Sequence, residues 1–271
     1  MKLHGYICSS VTSVLMNRMR GAKAPIPIEV LLNGLKRTHE LVGHFREFEV
    51  DVFELLGMRN LSSFIGELFA ASTVKSSEGL FVKNPHQDGY PDLLLHDESG
   101  KAHWATLQQR LREKNPFSPF GTGGLEVKAT CGSVPDPKRL ATKGLVKPAI
   151  GDTRITMMVG YDWKAHHRTT NNLLGLLWDF RDRAPCVVAV FYSSNLTEAD
   201  WGSIVHPKEG GGRTTSVSVM ARTGIRKMYE GWLAVRADWD YIEFIDKFNG
   251  GTLLGTAASA QGLKRSARTS Q

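Results

Sequence analysis

The chain has 271 residues, with 34 Lys plus Arg against 27 Asp plus Glu, a net charge of +7 before its nine His are counted. Apolar residues make up 41% and charged residues 23%, which excludes a disordered chain, a collagen and a coiled coil. A chain of this length can bury enough surface to fold without disulfides or a structural metal, and its basic balance favours an anionic partner without naming one.

The N-terminal stretch as far as Met16 is mildly apolar. It carries His4 and several Ser and Thr, with Arg18 and Arg20 standing before Ala22-Lys23-Ala24, against the pattern of a secretory signal. Three Cys, at 8, 131 and 186, form no C-x-x-C pair, and no apolar run approaches the ~18 residues of a membrane span. A soluble cytoplasmic protein is expected.

Residues 1–58 read as a mostly helical region, with five acids and one Arg from Glu40 to Glu54, so this is not an anion-binding face. A second helix follows. Asn60 serves as its N-cap, and Leu61, Phe64, Ile65, Leu68 and Phe69 form one apolar stripe. A short apolar run lies at 80–82, the run at 93–95 reads as a strand, and 101–114 as a polar helix. Leu125–Ala129 is a strand, 132–148 a Pro- and Lys-rich loop, Arg154–Tyr161 a strand, Asn172–Phe180 a helix and Cys186–Tyr192 a buried strand. Gly210-Gly211-Gly212 marks a loop, Val217–Met220 a further strand and Ile225–Val235 a helix. From 251 to 271 periodicity is lost, which predicts a disordered basic tail. This order argues for an α/β layered fold with a main unit over 59–250.

The chemistry concentrates in Pro91-Asp92 and, 34 residues after the Asp, Glu126-Val127-Lys128. In a strand, side chains at i and i+2 share a face, so Glu126 and Lys128 project together and Val127 turns to the core. If the strand after Asp92 is a neighbour, two carboxylates and an ammonium converge at one sheet edge. Two carboxylates and the Val127 carbonyl suit Mg²⁺, which takes oxygen ligands. The metal can polarise a phosphoryl oxygen, and Lys128 can orient or deprotonate the attacking water. The alternative is that Glu126 and Lys128 decorate the wet face of a half-buried strand. Pro135-Asp136 with Asp162-Trp163-Lys164 fits the same bare pattern, although the prolines around Asp136 place it in a loop.

Pro91, Asp92, Glu126 and Lys128, in helix–strand–strand order over about residues 60–130, resemble the PD-(D/E)xK nuclease superfamily, best known from type II restriction endonucleases. The resemblance implies a restriction-endonuclease-like core, a mixed central sheet flanked by helices, with DNA-recognition insertions. It implies that Asp92 and Glu126 bind Mg²⁺, that Lys128 assists the water, and that Glu67 on the preceding helix joins the metal site. At helical spacing Glu67 lies well off the apolar stripe, so a solvated face is the other reading of it. The 33 residues between Asp92 and Glu126 require the 101–114 helix to be an insertion.

The segment from Lys128 to Arg168 holds eight Lys/Arg against three Asp, a net of +5, as phosphate neutralisation requires. Lys138, Arg139, Lys143 and Lys147 are candidates for phosphate contacts. His166, Arg168 and Asn171 or Asn172 are candidates for base edges. The activity expected is cleavage of double-stranded DNA at a short palindromic site by a homodimer, leaving 5′-phosphate ends. The alternatives are a repair, resolvase or transposition nuclease of the same fold, or a DNA-binding protein without catalysis.

Overall fold

The computed structural model describes residues 3–19, 21–207 and 215–265, with Arg59 given by its backbone alone. The triple-glycine loop at 210–212, Arg20 and the end of the expected tail, with Arg268, lie outside the described residues.

Asp51 begins the long helix that carries much of the site, accepting hydrogen bonds from the Phe53 and Glu54 amides. In chain order the elements are β1 (Tyr6–Cys8), β2 (Ser13–Asn17), β3 (Lys23–Pro27), α1 (Ile28–Phe45), α2 (Val52–Ser76), β4 (Phe81–Lys83), β5 (Leu93–Leu95), α3 (Glu98–Thr106) and β6 (Gly124–Thr130). Then come α4 (Pro137–Ala141), β7 (Lys164–Ala165), β8 (Leu173–Arg181), β9 (Ala184–Ser193), β10 (Ser218–Val219), α5 (Arg222–Glu230), β11 (Trp232–Arg236), α6 (Trp239–Asn249) and α7 (Leu253–Ala260).

The protein is α/β. Seven strands form a mixed sheet in the order β1-β11-β9-β8-β6-β5-β4, and β6 and β8 are its one parallel pair. On one face α1 and α2 close a core that includes Leu31, Leu35, Leu61, Ile65, Phe69 and Trp178. On the other, α5, α6 and α7 close a second core around Trp163, Phe191, Met228 and Tyr241. The pairs β2–β3 and β7–β10 stand apart from the main sheet.

Five expectations are corrected. Asn172–Phe180 is a strand, not a helix: β8 lies between the two helical layers, so every residue from Leu173 to Phe180 is buried. An apolar run covered on both faces loses its alternation, and periodicity cannot then separate strand from helix. Arg154–Tyr161 is not a strand but a 3₁₀ turn at Ile155–Met157 followed by one bridge, Ser133 to Gly160. Its first amides, Arg154 and Ile155, bond the Asp179 carboxylate instead of a neighbouring strand.

The N-terminal 58 residues are not mostly helical, because three strands precede α1 and β1 joins the central sheet against β11. Asn60 caps nothing: α2 begins at Val52, breaks at Gly57 (φ 65°) and continues through residue 60. Finally, residues 251–265 are folded. α7 buries Leu254 and Ala258, and its N-terminal amides at Leu254 and Gly255 bond the Asp246 carboxylate.

Candidate active site

Three residues of β5, Leu93–Leu95, end the ladder beside β6, with Leu93 opposite Leu125 and Leu94 opposite Gly124. Continuing that register would set Pro91 opposite Val127, and proline has no amide hydrogen to give. The ladder therefore stops, and the Asp92 carboxylate takes its place: Oδ2 accepts the Val127 amide at 2.8 Å. Asn84 fixes the turn before Asp92. Its amide donates to the Asp92 carbonyl at 2.9 Å, and its Nδ2 donates to the Pro91 and Phe117 carbonyls.

Beyond Leu125, β6 has a strand partner on its other side alone, β8, with Glu126 opposite Leu173 and Lys128 opposite Gly175. The Glu126 amide donates to the Asn172 carbonyl. In a parallel ladder alternate residues turn both backbone groups to the same neighbour, so the Val127 carbonyl faces the open side together with Asp92. The side chains alternate too. Val127 packs into the core closed by α1 and α2, while Glu126 and Lys128 project from the other face.

Lys128 Nζ lies 2.5 Å from Glu126 Oε1 and 3.9 Å from Asp92 Oδ2. Glu126 is 6% exposed, and its second oxygen, Oε2, is buried without a hydrogen-bond partner. Burial pushes the Glu126 carboxyl up to about 7, with Lys128 pulling the other way and Asp92 adding to the rise. Burial likewise raises Asp92, against Lys128 and the Val127 amide. Burial works to lower Lys128, but the Glu126 and Asp92 charges outweigh it and raise the ammonium above its ordinary value.

This group opens into a cleft of about 680 Å³, walled by α2 on one side and by β7 on the other. Glu67 stands on the α2 wall. It is half-exposed, and its Oε2 accepts from Lys83 Nζ at 2.5 Å. His166 lies on the β7 wall, its Nδ1 3.2 Å from the Ser216 carbonyl. Beside the site Tyr90 exchanges hydrogen bonds with the backbone of Asn171 at 3.1 Å, and its ring meets His167 edge-on. Burial pushes its hydroxyl up to about 12.

The structure thus brings together Asp92, Glu126, Val127, Lys128, Glu67 and His166. It does not bring in the others. Lys138 and Arg139 are exposed on α4, and Lys143 and Lys147 on the loop after it, outside the cleft lining. Arg168 turns to the Glu198 carbonyl at 2.9 Å and its carboxylate at 4.0 Å. The rival Asp136 caps α4 through the Arg139 amide, which removes it from the cleft.

Sequence reasoning missed Asn84 and placed Lys164 only in the rival pattern with Asp162. Asn84 stands before Pro85 and gives no signal of its contact to Pro91. Lys164 was visible two residues before His166, a spacing that puts both on one face of a strand. Among the described residues no group of three or more His, Cys, Asp or Glu forms a metal centre, so any cation here takes its oxygens from two carboxylates, one carbonyl and solvent. No protein-family model, no curated protein and no solved structure matches the chain.

Proposed function

We propose that the protein is a Mg²⁺-dependent type II restriction endonuclease that hydrolyses phosphodiester bonds of double-stranded DNA, built on a restriction-endonuclease-like core. The carrying observation is the junction of Asp92, Glu126 and Lys128 at the open edge of β6, with one Glu126 oxygen buried and unpartnered. A buried carboxylate oxygen without a donor is rare enough to demand a partner. The available ligands, two carboxylates and the Val127 carbonyl, are all oxygen and fit Mg²⁺. When bound there, the metal supplies a Lewis acid that polarises the phosphoryl oxygen and makes a water more acidic.

The chain's own residues do the rest. Asp92 is held by the Val127 amide and by Asn84, so its free oxygen keeps one position relative to β6. Lys128, between two carboxylates, keeps its proton, and it acts as a fixed cation that orients the attacking water and offsets charge growing on the phosphate. Glu67, on the opposite wall, extends the acidic set towards Lys83.

The same reading gives a two-fold symmetric homodimer on a short palindromic site, 5′-phosphate ends and a cytoplasmic location. No helix of the described residues is long and apolar enough to cross a membrane. The test is purified protein on plasmid DNA with Mg²⁺. Discrete fragments are expected, falling by about a hundredfold or more in rate for Asp92→Ala and Lys128→Ala. Wild-type protein that leaves DNA intact across metals and temperatures would sink the proposal.

A further inference from the structure

The cleft holds a cation that this chemistry does not use. Lys164, on the β7 wall, lines the same cleft as Asp92 and Lys128. Its backbone is fixed from several sides. β7 pairs with β10, with Val219 opposite Lys164. The neighbours Trp163 and Ala165 are buried, the Trp163 indole donates to the Leu176 carbonyl at 3.2 Å, and the Trp163 carbonyl accepts the Met220 amide at 2.9 Å. Gly175 makes this seating possible, because a Cβ there would meet the Trp163 ring at 2.7 Å.

The charge distribution around the cleft singles this side chain out. Lys128 is paired with Glu126, and Lys83 with Glu67, while Arg168 has turned away to Glu198. Lys164 is exposed and enters no ion pair among the described residues. Asp162, two residues before it, feels its charge, but burial still raises that carboxyl. An ammonium left unpaired on the wall of the cleft has its charge available for an incoming anion.

We infer that Lys164 binds a backbone phosphate of the DNA in the cleft, gripping the strand from the β7 wall. The inference rests on the nuclease reading and adds a substrate-holding residue to it. Binding to a phosphate rather than a base makes the contact indifferent to sequence.

The test uses the full chain and a labelled plasmid-derived duplex of about 30 base pairs, with Ca²⁺ in place of Mg²⁺ for binding and Mg²⁺ for turnover. K164A is expected to weaken binding about tenfold near 0.1 M salt and to reduce the slope of log affinity against log salt by about one. KM should rise with kcat nearly unchanged, because a ground-state contact is lost. K164R should restore most of the affinity, and K101A, on α3 away from the cleft, should match wild type. An active wild type whose K164A variant shows the same affinity, salt slope and KM overturns this inference while leaving the nuclease reading standing. Wild type that binds but does not cut, with binding lost in K164A, supports the phosphate contact and removes the catalysis. Wild type that neither binds nor cuts DNA overturns both.

Discussion

Glu126 carries two opposed demands. Its burial disfavours the charged form, yet Lys128 at 2.5 Å holds it, and Oε2 still lacks a donor. Such a group is costly to keep in a site without a ligand, and a bound divalent cation would relieve it. Because a ligand that binds only the folded chain stabilises it, millimolar Mg²⁺ should raise the melting temperature of wild type by a few degrees. Glu126→Gln and Asp92→Ala should show no such rise, whatever their starting stability. Differential scanning fluorimetry with and without Mg²⁺ checks this, and an equal rise in all three proteins would detach the metal from these residues. At this scale Asp92, Glu126 and Lys128 were readable because a strand's two-residue period sets the second pair on one face before any fold is known. Asn84 was not, because its contacts with Pro91 and Phe117 exist only once the chain folds.

An element with one wet face is the easier to read, and an apolar run covered on both faces can be taken for helix or strand. The stripe on α2 was plain because its other side, with Ser63 and Glu67, is exposed. β8 was mistaken because both its faces are buried. The docking of α1 on the sheet shows a further consequence of burial. His39 on α1 accepts the Val187 amide of β9 through Nε2 at 3.2 Å, and its ring stacks on Tyr6 of β1. Burial, aided by the Arg236 charge, lowers its pKa from 6.5 to about 4. A folded-state pKa below the unfolded one means that the neutral ring stabilises the fold fully above about 6.5. That contribution fades as pH falls towards 4, where the unfolded chain takes a proton that the folded chain refuses. At about 1.4 kcal/mol per pKa unit the loss approaches about 3 kcal/mol. Urea unfolding of wild type should weaken over this interval by more than that of His39→Gln. Parallel pH curves for the two proteins would show that His39 is not the cause.

Across the whole molecule the net +7 is spread over distinct places. The C-terminal segment expected to be a disordered basic tail has a structural part: Gln261 bonds both backbone groups of Cys8 on the edge strand β1, which covers an edge that would otherwise invite pairing with another chain. The +5 of residues 128–168 divides as well. Lys128 and Lys164 line the cleft with His166, whereas Lys138, Arg139, Lys143 and Lys147 stand exposed on α4 and the following loop. Composition could locate that charge along the chain but not separate the residues that line the cleft from those outside it, because that division depends on the folded chain. If the four outer residues track a duplex entering the cleft, each neutralised phosphate adds about 0.9 to the salt slope. Replacing all four by Ala should then reduce that slope by about three to four and weaken binding similarly for every DNA sequence. The rate at saturating DNA should stay near wild type, since none of the four reaches the carboxylates. Anisotropy titrations at several salt concentrations, paired with single-turnover cleavage, separate the two quantities. An unchanged slope would make this a solvated loop and confine the DNA-binding charge to the cleft itself.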